Sequence, residues 1–193
     1  MLDQPLKVLN PYLSFTLLNF TMTIIIGIDP GSRLTGYGVI EKKGNKCFFI
    51  DAGTIRTESD EMPIRLKRIY ESLARIIDFH KPTEASVEKI FLAHNVDTAL
   101  KLGQARGCAI TALVTHDVSV SEYTARQIKQ SVVGFGAAEK AQVQLMVTRL
   151  LNIPVIPQAD AADALAAAIC HAHTSQTLLK LSTVALRTTR ARR

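Results

Sequence analysis

Four carboxylates stand where acidic side chains need a reason. Asp29 closes the apolar run Ile24-Ile-Ile-Gly-Ile-Asp29, and a charge buried there is costly unless it is paired or binds a metal. Glu88 interrupts a second run, Ala85-Ser-Val-Glu-Lys-Ile-Phe91. Asp160 and Asp163 stand three residues apart and share one helix face. Taken singly, each has a plain structural role. Asp29 can open the Pro30-Gly31 turn, Glu88 can sit exposed on an alternating strand, and the two late aspartates can cap a helix whose dipole favours them. Taken together, they define a chemistry. If the strands carrying Asp29 and Glu88 are neighbours, ~4.8 Å apart, both acids converge at one end of a sheet, with Asp160 and Asp163 presented opposite. Carboxylates that close repel one another and raise each other's pKa. Hard divalent cations relieve the repulsion. Two such ions, ~3.5–4 Å apart, can activate a water and stabilise a leaving oxygen, the chemistry of phosphodiester hydrolysis. Cys170, His171 and His173 cluster at a helix end and read as structural or solvent-facing rather than as a competing site.

The elements that must position these acids follow from periodicity. Ile24–Asp29 reads as a buried strand stopped by Pro30-Gly31. Gly36–Glu41 and Cys47–Ile55 read as two more strands, joined by a hairpin turn at Lys43-Gly44-Asn45. From Pro63 to His80 the apolar spacing becomes three and four, which predicts a helix with Ser59 or Asp60 before it. Ala85–Phe91 is a fourth strand, Asp97–His116 a helix rich in small residues, and Val118–Tyr123 a fifth strand. A short helix over Thr124–Val132, a turn at Gly134-Phe-Gly136 and a helix over Ala138–Leu151 follow. Pro154 and Pro157 precede a last helix from Asp160 to about His173. The order predicts an α/β fold: a five-stranded mixed sheet flanked by helices on both faces.

Composition narrows the function class. The chain has 193 residues, 47% hydrophobic and 21% charged, enough for one domain with a core of its own. No run reaches the ~18 apolar residues of a membrane span. Three cysteines without C-x-x-C spacing argue against a disulfide framework or zinc knuckle and for a reducing cytoplasm. The net charge of +6 is mostly a tail property: residues 174–193 carry five bases and no acid, whereas 22–173 hold 17 bases and 16 acids. Such a tail attracts polyanions or merely solubilises. Residues 1–21 lack a cleavage-site pattern. Met22 directly precedes the first strand, so translation is expected to begin there, leaving 1–21 as an extension outside the fold. The expected organisation is thus extension 1–21, one domain over 22–175 and a basic tail over 176–193.

Ile26-Gly-Ile-Asp-Pro-Gly-Ser-Arg33, Thr35-Gly-Tyr-Gly-Val-Ile40, Val87-Glu-Lys-Ile-Phe91, Leu100-Lys-Leu-Gly-Gln-Ala-Arg-Gly107, Ala125-Arg-Gln-Ile-Lys-Gln130, Val133-Gly-Phe-Gly-Ala-Ala-Glu-Lys140 and Gln158-Ala-Asp-Ala-Ala-Asp-Ala164 follow one another along the chain. In that order these blocks resemble the RuvC family of bacterial Holliday junction resolvases. The resemblance covers about 22–175 and implies a ribonuclease H-like fold. Its four metal-binding acids fall on Asp29, Glu88, Asp160 and Asp163. Its wedge aromatic, which stacks on a base at the opened crossover, falls on Phe91, and its DNA contacts fall on Lys129, Lys140 and Asn95. Position 94, commonly basic in the family, is His94 here.

The resemblance implies a Mg²⁺-dependent endodeoxyribonuclease, with two ions per subunit and Mn²⁺ able to substitute. Asp29 would bridge the ions, and a metal-activated water would attack the scissile phosphate. It implies a homodimer that nicks four-way DNA junctions symmetrically at short thymine-containing sites, leaving 5′-phosphate and 3′-hydroxyl ends. It also implies cooperation with the branch-migration proteins RuvA and RuvB, in recombination and repair in the cytoplasm. The Gly103-x-x-x-Gly107 helix permits close approach, to the sheet or to a twin in a two-fold dimer. The rivals are a nuclease of the same fold acting on RNA, a nucleotide-binding module built on Gly27–Ser32, and a non-catalytic DNA-binding protein.

Overall fold

The computed structural model describes residues 22–59, 61–89 and 95–190, with the side chains of 176 and 178–190 left aside. The proposed extension 1–21 and the wedge Phe91 lie outside the described residues, as does His94. Five strands form one sheet: β1 (Met22–Asp29), β2 (Leu34–Lys43), β3 (Lys46–Arg56), β4 (Glu84–Lys89) and β5 (Ser119–Thr124). The spatial order is β3-β2-β1-β4-β5. β1 pairs antiparallel with β2 and parallel with β4, so the sheet is mixed, as the sequence predicts. The helices are α1 (Met62–His80), α2 (Val96–Val114), α3 (Ala125–Val133), α4 (Lys140–Leu150) and α5 (Ala159–Arg190).

Alternation along β1 splits the core into two layers. Ile25 joins Ile40, Leu165 and Ile169 in a cluster under α3, α4 and α5. Ile26 and Ile28 join Val39, Ile69, Leu73 and Leu113 in a cluster under α1 and α2. Full burial of each such side chain stabilises by roughly 1.5–3 kcal/mol, so neither layer is dispensable.

Local chemistry sets the helix ends. Thr124 caps α3, accepting from the Gln127 N–H at 3.2 Å while the Gln127 side chain accepts from the Thr124 N–H at 2.9 Å. Gly134 ends that helix at φ 94°, a conformation L side chains rarely adopt. Two expectations are corrected. The last helix does not stop near His173 but continues to Arg190, because 174–190 contain neither glycine nor proline to break it. Asp160 is not the cap but lies within the first turn of α5, which begins at Ala159.

Helix α5 lies against the sheet closely enough that only glycine fits beneath it. A β-carbon on Gly27 would collide with the backbone carbonyl of Ala164, and one on Gly36 with that of Asp160. By contrast, Gly103 and Gly107 have open space around them; they do not pack on the sheet, and the face of α2 that carries them points outward. The Gly36→Ala variant is expected to lose about 2 kcal/mol or more, because the helix backbone must retreat to admit a methyl group. Urea unfolding compared with the parent measures this.

Candidate active site

The strand register assembles the acids. The last registered β1–β4 pair is Ile28↔Val87, so Asp29 and Glu88 follow one residue later on neighbouring parallel strands. Across the other edge of β1, Asp29 pairs with Gly36, the glycine over which the Asp160 carbonyl sits. Asp163, one helical turn beyond Asp160, completes the group. Asp29, Glu88 and Asp163 line a cleft of about 240 Å³ together with Lys129 from α3 and Lys140 from the first turn of α4.

The electrostatics are those of a site with too much negative charge. Burial, then repulsion from Glu88, Asp163 and Asp160, pushes the Asp29 carboxyl from 3.8 up to about 7, against the opposing pull of Lys140. Glu88 is also pushed up, by burial and by Asp163, although Lys140 and Lys129 draw it back. Lys140 Nζ donates to Asp163 Oδ2 at 3.1 Å, and that contact pushes the ammonium pKa upward. Four carboxylates against two ammonium groups leave an excess of two negative charges, which matches a divalent cation. The donors are all hard carboxylate oxygens. As they stand, no three acidic, imidazole or thiol groups among the described residues enclose a common point; holding an ion asks the side chains to turn inward while the backbone already places them at one sheet end.

Several positioning groups carry no recognisable signal in the sequence. Thr35, 1% exposed, donates to the Gly31 carbonyl at 2.7 Å, and Thr57 Oγ1 donates to the Ser32 carbonyl at 2.9 Å. They pin the turn that follows Asp29. Arg106 Nε donates to the Glu88 carbonyl at 3.3 Å while its guanidinium pairs with Glu122, which fixes the end of β4. Short polar residues and one helix arginine look ordinary until the chain is folded. Asn95 caps α2, its Oδ1 accepting from the Asp97 and Thr98 N–H groups at 2.9 and 3.2 Å. Cys170 is buried, and His171 bridges Tyr123 Oη and Glu84 at 2.8 and 2.7 Å, in keeping with the structural reading of that cluster.

A mixed sheet in this order, with carboxylates gathered at the ends of β1 and β4 and at the start of the closing helix, defines the ribonuclease H-like class of nucleases. Comparison with known proteins takes this further. A family model described as crossover junction endodeoxyribonuclease RuvC matches residues 25–171. The crossover junction endodeoxyribonuclease RuvC of Acinetobacter baumannii is 70% identical over 161 residues, covering 83% of this chain and 89% of that protein. The corresponding protein of a Psychrobacter species is 62% identical over 165 residues, covering 83% and 85%. The solved structure of Thermus thermophilus RuvC in complex with Holliday junction substrate superposes with a TM-score of 0.76 at 32% identity, over 80% of this chain and 96% of that one. A yeast mitochondrial Holliday junction resolvase shares the fold, with a TM-score of 0.60 at 11% identity over 81% of each chain. The chain belongs to the RuvC family. It is an enzyme of that kind, an endonuclease that hydrolyses phosphodiester bonds of DNA and depends on metal; the RNA-directed alternative is not favoured.

The raised Asp29 pKa has a consequence for stability. Between pH 3.8 and about 7 the folded carboxyl holds a proton that the unfolded chain has released. Raising pH through that window therefore weakens the fold. With chelator present, Asp29→Asn is expected to lack this loss and to exceed the parent above the window by on the order of 2 kcal/mol. Urea unfolding across a pH series measures it.

Proposed function

We propose that this chain resolves four-way DNA junctions as a homodimer, with Asp29, Glu88, Asp160 and Asp163 holding two Mg²⁺ ions in each subunit. The observation that carries the reading is the convergence of Asp29, Glu88 and Asp163 on one cleft with Lys129 and Lys140, where partial burial and then the neighbouring carboxylates push Asp29 up to about 7. Bound divalent ions would supply an activated water and stabilisation of the leaving oxygen. The residues of the chain do the rest. Asp29 and Glu88 are fixed by strand register, so their carboxylates start from a defined separation. Asp160 and Asp163 approach from the start of α5. Lys129 and Lys140 face the same cleft and would position phosphates without reading sequence. Phe91 would stack on a base freed at the crossover, which is worth ~1–3 kcal/mol and tolerates many sequences. Asn95, beyond the same strand, would add a DNA contact through its amide N–H groups.

The outward face of α2 supports the dimer. Val96, Leu100 and Val114 are 75%, 63% and 51% exposed, and Gly103 and Gly107 lie between them with open space above. An apolar stripe with small residues at helical spacing suits close packing against a second copy. A four-way junction is itself roughly two-fold symmetric, so two such sites would nick two strands symmetrically. The family resemblance supports cooperation with RuvA and RuvB and action in the cytoplasm. Among the described residues no helix is long and apolar enough to cross a membrane.

A mobile synthetic junction incubated with Mg²⁺ or with chelator tests the reading; paired symmetric nicks in Mg²⁺ alone are expected. Asp29→Asn should slow cleavage about 10³-fold, since several kcal/mol of charge stabilisation are lost at 1.36 kcal/mol per decade. Junction affinity in chelator should stay within a few fold, and near-parent nicking would contradict the metal assignment. Gly107→Arg should yield a folded monomer by size-exclusion chromatography with light scattering, and a dimer that persists in this variant would remove α2 as the interface.

A further inference from the structure

A second basic surface lies apart from the acidic cleft. Between β3 and α1 runs a groove of about 710 Å³ whose lining includes Arg56, Arg65, Arg68 and Arg75, with Glu58 the one acid there among the described residues. Arg65 is buried, with its Nε donating to the Ser59 carbonyl at 2.6 Å, and belongs to the wall. Arg56, Arg68 and Arg75 are exposed. Among the described residues none of these three forms an ion pair. Three arginines lining one groove repel one another, and among the described residues of the lining only Glu58 offsets them.

The placement of the groove says what else would. Arg56 pairs with Leu34, and Thr54, two residues earlier, pairs with Gly36, which in turn faces Asp29. The groove therefore begins at the sheet end that holds the acids, two inter-strand spacings or about 10 Å to the side, but on the α1 face of the sheet, opposite the face on which α5 brings Asp160 and Asp163. From there it follows α1 away from the site. Arg68 and Arg75 stand seven residues apart on one face of that helix, about 10.5 Å along its axis. That is about three steps of a duplex at 3.4 Å per phosphate along one strand. Ser72, between them in the same lining, adds a hydroxyl donor.

We propose that the groove between β3 and α1 binds the phosphate backbone of a duplex arm as it leaves the crossover. Arms of a four-way junction radiate from the point of cleavage, and an arm that passes around the edge strand β3 meets this surface on the other face of the sheet. This assignment rests on the junction reading above. Its contacts are sequence-independent, so they orient the substrate and leave base choice to the cleft.

The test compares the parent with Arg68→Gln/Arg75→Gln in fluorescence anisotropy, without divalent metal, on a long-armed junction and on one whose arms are cut back to a few base pairs. Both residues are exposed, and thermal melts by circular dichroism confirm that the variant is folded. The expected result is roughly tenfold weaker binding to the long-armed junction and a salt-dependence slope reduced by about two. The short-armed junction should show no difference, and cleavage at saturating junction in Mg²⁺ should match the parent. Unchanged affinity and slope on the long-armed junction would overturn the proposal, as would an equal loss on both junctions. Unchanged junction affinity with lost binding of polyglutamate would overturn it in favour of an acidic protein partner. Cleavage of the long-armed junction by the parent, run alongside, reports on the junction reading separately.

Discussion

At Gly27 and Gly36 no side chain separates the backbone of α5 from the backbone of the sheet. That contact governs the geometry of the acids. β1 and β4 alone bring Asp29 and Glu88 side by side, but two carboxylates on adjacent strands are only half of the cluster. The other half arrives because α5 touches down beside the strand ends, with its first turn over Gly36. Raising the helix by the thickness of one methyl group would widen the cleft along its whole length. The alanines of α5, among them Ala161, Ala164 and Ala168, are buried for the same reason: a larger side chain there would lift the helix.

The cluster so formed is strained electrostatically, and the fold contains its own partial remedy. Lys140 stands at the start of α4 and reaches Asp163, while Lys129 draws on Glu88 from α3. Two ammonium groups moderate the repulsion without cancelling it. A site balanced this way can fold before it is loaded, yet still favours a divalent ion strongly once one arrives. The lysines thereby act as counter-charges to the acids, and under the proposed reading the same two would contact phosphates.

Much of this was legible in the residues themselves. The breaks at Pro30-Gly31 and Gly134, the change of period after Pro63, and the acids at unlikely positions all reflect local physics that a linear reading captures. The strand order is different in kind. That β4 lies beside β1, rather than at an edge, depends on packing among all the helices; the paired acids only posed it as a condition, which the register meets. The continuation of α5 to Arg190 was missed because 174–190 was read by its charge as a tail, although Leu178, Leu181 and Ala185 keep helical spacing and nothing in the sequence stops a helix there. Asp160 looked like a cap because aspartate often is one; the helix begins one residue earlier. Thr35, Thr57 and Arg106 were invisible because their partners are backbone carbonyls, which no residue type announces.

The two faces of the sheet differ in how they are built, and this bears on how such a chain can change over time. Under α1 and α2 the core is made of Ile69, Leu73, Ile77 and Leu113, branched residues whose volumes can be exchanged with repacking. Under α5, beside Ile25, Ile40, Leu165 and Ile169, the strand glycines Gly27 and Gly36 meet the helix backbone directly, and at those positions every larger residue collides. Variation is therefore expected to accumulate on the first face, while the half that carries the acids stays almost frozen.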